Sequence, residues 1–198
     1  MRDNFYTYHT EAFKTIQTLL SKMKTITMPQ FEVLLAGYKH YSPLSVLHSL
    51  QTSGIVEVQD NLITRYHSPS FERENIESLW VALDLLSKDN GTIEKKDIDN
   101  LSVGTDIINL SIILDRSLIV NIVHVDKGEK AIVVGAVQRF YNITGCEKGK
   151  EKDEHILHLF ETADPEAFKM LQEMDIQIPY KLAFVEGDCI QKPEITYV

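Results

Sequence analysis

The stretch ITMPQFEVLLAGYKHYSPLSVLHSLQTSGIVEVQDNLITRY, residues 26–66, holds two helix starts, a helix stop and a hairpin. Thr27 can serve as an N-cap, with Gln30 three residues later completing a capping box and Ile26 and Phe31 in the staple positions. The spacing predicts a short helix to about Ala36, stopped by Gly37. Ser42-Pro43 then repeats the signal, an N-cap followed by proline at the first helical position. This next helix is expected to bury Leu44, Leu47 and Leu50 and to end near Gly54. Beyond it, Ile55–Gln59 and Leu62–Tyr66 flank Asp60-Asn61, two strands joined by a two-residue turn. Upstream, Thr10 precedes Phe13, Ile16, Leu19, Leu20 and Met23, the spacing of one helix face.

Three short helices followed by a hairpin resemble the winged helix-turn-helix superfamily over residues 9–67. The resemblance implies a DNA reader, with the third helix in the major groove and the hairpin on the backbone. Residues off the leucine stripe of that helix are Ser45, His48, Ser49, Gln51 and Thr52, all able to hydrogen-bond a base edge or phosphate. None of them is Lys or Arg, and phosphate neutralisation dominates DNA affinity. The nearby cations are Lys39 and Arg65, with Lys22 and Lys24 at the end of the first helix. The candidate DNA-binding set is therefore Lys39, Ser45, His48, Ser49, Thr52 and Arg65, and so few cations call for a homodimer presenting two copies. The alternative is a module that contacts protein. Tyr38 and Tyr41 could reach phosphate, but with Phe5, Tyr6 and Tyr8 they fit core or dimer contacts better.

Ser68-Pro69-Ser70 marks a boundary, dividing the chain into a winged-helix part (1–70) and an α/β part (71–198). Glu72–Ser87 reads as a long amphipathic helix with Ile76, Leu79, Trp80, Leu83 and Leu86 inward and its acidic residues opposite. It ends at Asp89-Asn90-Gly91. Ile107–Leu114 and Leu118–Val125 are apolar on both faces, an antiparallel pair inside a covered sheet. For residues 130–142, Ile132-Val133-Val134 favours a strand and Val133, Val137, Phe140 and Tyr141 a helix; the length tips the balance to helix. The charged run of residues 147–154 reads as a solvated loop, and His155–Phe160 as a strand. Asp164-Pro165-Glu166 opens a helix, and strands at Lys181–Val185 and Ile190–Val198 complete the series.

The expected class is α+β, a winged helix followed by a small α/β sandwich with a mixed sheet. Its order is similar to the restriction-endonuclease-like layout, which would imply a metal-dependent nuclease. Asp106 or Asp115 could supply the first carboxylate, but the second strand reads Asn121-Ile122-Val123, without the further carboxylate and lysine. Such a domain would be catalytically silent. His155 and His158 face opposite sides of a strand, and no phosphate-binding loop or nucleophile elbow occurs, so no catalytic, cofactor or metal residues are expected.

Across its 198 residues the chain is 43% hydrophobic with a formal charge of −9, which excludes a disordered chain. The acidity lies in residues 71–198, whereas residues 1–70 are close to neutral. The longest apolar run, Ile107–Val125, is broken by Asn109, Asp115, Arg116 and Asn121, so no membrane span is expected. The start, MRDNFYTYHTEAF, has no apolar leader, and Cys146 and Cys189 form no metal or disulfide pattern, consistent with a cytoplasmic protein. As a whole the chain resembles an uncharacterised group of bacterial winged-helix proteins associated with mobile genetic elements. That resemblance implies regulation or accessory work on DNA, with protein contacts made by the acidic domain, and carries over no catalytic residues.

Overall fold

Thr27 caps its helix through two reciprocal bonds. In the computed structural model, which describes residues 3–38, 42–67, 72–104, 107–115, 117–126, 128, 130–146 and 155–198, the Gln30 N–H donates to Thr27 Oγ1 at 3.2 Å and the Thr27 N–H donates to Gln30 Oε1 at 3.0 Å. They satisfy donors that the start of α2 (Met28–Leu35) leaves without helical partners. Before it come α1 (Asp3–Met23) and β1 (Thr25–Thr27), and after it α3 (Pro43–Thr52), β2 (Val56–Gln59) and β3 (Leu62–Arg65). Asp60 and Asn61 both take left-handed conformations, φ 49° and 66°, as the two-residue hairpin turn requires. β1 pairs antiparallel with β3, so the small sheet runs β1-β3-β2. Three residues between two helices show too little alternation to announce β1. Helix α1 begins at Asp3, ahead of the Thr10 start that the spacing predicts.

The leucine stripe of α3 needs correcting. Leu44 is 69% exposed, and Val46 joins Leu47 and Leu50 in the core. At about 100° per residue, Val46, Leu47 and Leu50 fit within an arc of roughly 100°, while Leu44 falls some 60° beyond it. Ser42 precedes the helix without a side-chain capping bond, leaving Pro43 as the start signal.

The second part opens with α4 (Arg73–Asn90), closed by Gly91 at φ 72°, and α5 (Lys95–Asp99). Then follow β4 (Ser102–Val103), β5 (Leu110–Leu114), β6 (Leu118–His124), α6 (Lys130–Cys146), β7 (Ile156–Thr162), α7 (Pro165–Glu173), β8 (Tyr180–Glu186) and β9 (Glu194–Tyr197). The strands form one mixed sheet in the order β4-β5-β6-β7-β8-β9. Pairs β6–β7 and β7–β8 are parallel and the others antiparallel. Parallel neighbours need a crossover, which explains why residues 130–142 are helix rather than strand. The class is α+β, as expected.

Both sheet faces are covered. Val120, Ile122, Leu159, Ala183 and Val185 belong to the apolar cluster that includes α4. Val123, Phe160 and Leu182 belong to the one that includes Val134 and Val137 of α6 and Leu171 of α7. The first cluster also takes in Ile16, Leu20, Phe31, Leu34 and Leu50, so residues from both sides of the predicted boundary share one core. Residues 68–70 and the charged loop at 147–154 lie outside the described residues. Among the described residues no helix is long and apolar enough to cross a membrane.

Helix α4 is the piece between the two parts. Its residues Ile76 to Leu83 are all buried, and Gln30 Nε2 donates to the Ile76 carbonyl at 2.8 Å. Gln30→Leu removes this bond and half of the capping box while keeping an apolar volume. It should cost about 2–3 kcal/mol in urea unfolding, against less than about 0.5 kcal/mol for Ser45→Ala on the exposed face of α3.

Candidate functional site

The third helix and hairpin present the residues expected to meet DNA with one reservation for each kind of group. Ser45, His48 and Thr52 are exposed and Ser49 half-exposed, so all four lie off the buried face. Their hydroxyls, however, turn back onto the chain. Ser45 Oγ donates to the Ser42 carbonyl, Ser49 Oγ to Ser45, and Thr52 Oγ1 to His48 at 2.9 Å. Each oxygen keeps acceptor capacity but has committed its proton. Arg65 is exposed at the end of β3 and lines a cleft of about 500 Å³ with Gln17, Ser21, Gly54, Tyr66 and His67. Lys39 and Tyr41 lie outside the described residues, as do the side chains of Phe5, Tyr6 and Tyr8.

Two further cations face other tasks. Lys22 Nζ donates to the Leu101 carbonyl and, at 3.5 Å, to that of Asp99, tying α1 to the end of α5. Lys24 Nζ lies 3.8 Å from Glu72 Oε1 at the start of α4. The Tyr38 hydroxyl is 2.8 Å from Thr15 Oγ1, an internal contact.

A second constellation was not legible in sequence. Residues Glu77 of α4, His124 at the end of β6 and Glu161 near the end of β7 converge where the parallel strands terminate. That is the edge at which open α/β sheets bind ligands. One ligand-type atom from each lies within 4.8 Å of the others. His124 Nδ1 is 3.1 Å from Glu161 Oε1 and 3.7 Å from Glu77 Oε2, and its Nε2 is 3.3 Å from Asp126 Oδ1. Around them, Arg73 Nε donates to Glu77 Oε1 at 2.6 Å, and Ser78 Oγ donates to Glu161 Oε1 at 2.7 Å. The backbone N–H of His124 is held by Asn109 Oδ1 at 2.8 Å. A cleft of about 450 Å³ opens beside the cluster, lined by Arg73, Glu77, His124, Asp126, Thr162 and Asp164.

The burial of this cluster shapes its protonation. Burial lowers the His124 pKa, but the hydrogen bond and charge of Glu161, with Asp126 and Glu77, outweigh it and hold the imidazole at about 9. Burial pushes the Glu77 carboxyl up, opposed by its bond to Arg73. Two carboxylates and an imidazole are also a donor set that can hold a divalent cation. Sequence spacing does not gather them, because the amphipathic pattern of residues 72–87 puts its acidic residues, Glu77 among them, opposite the apolar face. Glu77 is instead 1% exposed, on a helix buried around most of its girth.

The carboxylates considered for a nuclease lie elsewhere. Asp106 is outside the described residues. Asp115 sits in the β5–β6 turn, at the opposite end of β6 from His124, where its N–H meets Asp89 Oδ2 at 3.3 Å. Asn121 accepts a bond from Ser111 Oγ at 2.7 Å. His155 is exposed and His158 is buried, so the two do not share a site.

Compared with family models, curated proteins and solved structures, the chain matches none of them.

His158 offers a pH test of the fold. Its two ring nitrogens find no hydrogen-bond partner among the described residues, and its ring meets that of Tyr141 edge-on at 5.6 Å. Burial lowers its pKa to about 4. Above pH 6.5 the ring is neutral in both folded and unfolded chains. Between about 6.5 and 4 only the unfolded chain takes up the proton, so stability falls as pH falls, by up to about 3 kcal/mol. Urea midpoints from pH 7 to 4 should drop less steeply for His158→Leu than for the natural chain; identical slopes would assign the acid loss to carboxylates.

Proposed function

We propose that this protein is a non-enzymatic DNA-binding regulator or accessory protein whose first seventy residues act as a winged helix. The reading is carried by one observation, the order α1-β1-α2-α3-β2-β3 with β1 paired to β3, which sets α3 beside a two-stranded hairpin. In this reading α3 enters the major groove and the hairpin lies along the backbone. Ser45, His48, Ser49 and Thr52 are turned outward for it, and Arg65 is the charge on the hairpin strand. Lys39, a few residues before α3 in sequence, completes the set. With Lys22 and Lys24 engaged inside the chain, each subunit brings few free charges, so the binding form is a homodimer. The α/β part, which holds most of the acidity, faces away from the duplex and supplies the dimer or partner contact.

One feature favours a second reading, in which α3 contacts protein. Leu44 stands 69% exposed at the start of α3, an apolar side chain at the tip of the proposed reader helix.

The two readings part in a titration of fluorescent duplex DNA. The DNA reading predicts saturable binding that weakens about tenfold or more between 50 and 200 mM salt, as expected when two Arg65 side chains neutralise phosphates. Arg65→Glu should then weaken binding at least tenfold and flatten the salt slope. Anisotropy no greater than that of an unrelated acidic protein at 50 mM salt would refute it. In that event Leu44→Ser, which removes little buried surface, should disrupt a protein complex with little change in the melting temperature.

A further inference from the structure

Glu161 is fully buried, and its Oε2 has no hydrogen-bond partner among the described residues. A buried polar oxygen left so is costly, and native structures resolve such groups with a partner, a water or an ion. The carboxylate does not stand alone: its other oxygen meets His124, which also faces Glu77, and the three ligand-type atoms fall within 4.8 Å of one another.

We infer that Glu77, His124 and Glu161 form a binding site for one divalent transition-metal cation, open to the cleft between α4 and the ends of β6 and β7. Three features select the class of ion. First, the donors are two carboxylates and one imidazole, a borderline set suited to zinc, manganese or ferrous ions rather than to calcium, which takes six to eight oxygens. Second, the imidazole is already oriented from outside. Nδ1 points at the carboxylates and would give up its proton to solvent as the ion takes its place, while Nε2 lies 3.3 Å from Asp126 Oδ1, the carboxylate–histidine arrangement that supports metal ligands. Third, three protein donors leave coordination positions unfilled, and the adjoining cleft of about 450 Å³ gives the ion a way in.

The donors sit on regular elements, a helix and two paired strands. Glu77 lies in the buried middle of α4, while His124 and Glu161 lie across from one another on paired parallel strands. Ser78 Oγ and Arg73 Nε each bond one oxygen of a donor carboxylate; the second oxygen of Glu161 has no hydrogen-bond partner among the described residues, and that of Glu77 lies 3.7 Å from His124 Nδ1. Asp164, the N-cap of α7, lies on the wall of the same cleft.

The test is calorimetric titration of metal-stripped full-length protein with zinc chloride and, separately, manganese chloride. One equivalent of at least one ion should bind, with a rise in melting temperature, and Glu161→Gln should weaken that binding at least a hundredfold. Asp126→Asn alters a side chain that is 64% exposed and touches the ion only through His124, so it should fold normally and bind about ten- to a hundredfold more weakly. That second variant decides the matter should Glu161→Gln fail to fold. Absence of saturable binding to the natural chain, or affinity unchanged by Asp126→Asn and by a folded Glu161→Gln, would overturn the site and leave an ion-pair network alone.

Discussion

A buried side-chain amide ties the two parts of this chain together. Gln30 accepts from the Thr27 backbone with its oxygen and donates to the Ile76 carbonyl with its nitrogen. The first bond fixes where α2 begins, and the second fixes where α4 lies against it. With no exposure to water, neither half of the amide can be satisfied by solvent, so both bonds must form together. α2 then packs against α3 and β1, and α4 contacts α2 and, in the large sheet, β5, β6 and β8.

That constraint explains why α4 carries polar groups inside. A helix wedged between two parts has almost no solvent face, so Glu77 and Ser78 are buried together with Leu79 and Trp80. Burying a carboxylate is expensive unless partners surround it. Here Arg73, one turn earlier on the same helix, provides a charged donor from the rim, and His124 and Glu161 come from the sheet beneath. The ionic cluster therefore locks the register of α4 on β6 and β7, as an apolar contact of similar size would not. The same locking is what preorganises the donors.

How much of this was legible depended on whether the signal was local. The Thr27–Gln30 box, the Pro43 and Pro165 helix starts and the Asp60-Asn61 turn each involve neighbours in sequence, and each element lies where the residues put it. The runs at 107–114 and 118–125 announced a covered sheet by having no polar face. Three things were not local. β1 is defined only by pairing with β3, about forty residues away in the register Ile26–Ile63. Leu44 follows the i, i+3 rule yet misses the core, because the helix turns its Val46–Leu47 side to α1 and β2. The Glu77–His124–Glu161 cluster joins residues whose nearest separation is 37 positions, through a parallel pairing that no hairpin signal predicts.

The charge of the chain looks different once its partners are counted. Acidic excess in residues 71–198 is not all surface charge: Glu77 and Glu161 are interior, and Glu72 and Asp84 are paired with Lys24 and Lys88. In the near-neutral first part the reverse holds, since Lys22 and Lys24 are drawn toward α5 and α4. Outward on α3, beside Leu44, His48 and Gln51, stands a row of hydroxyls whose protons are already given to nearby carbonyls. Those hydroxyls offer acceptors more readily than donors, and phosphate oxygens need donors, so the side-chain donors on this face are His48 and Gln51. In the DNA reading a duplex would therefore take its charge contacts from Arg65 and Lys39 and its side-chain donors on α3 from His48 and Gln51, with the committed hydroxyls accepting from base amino groups.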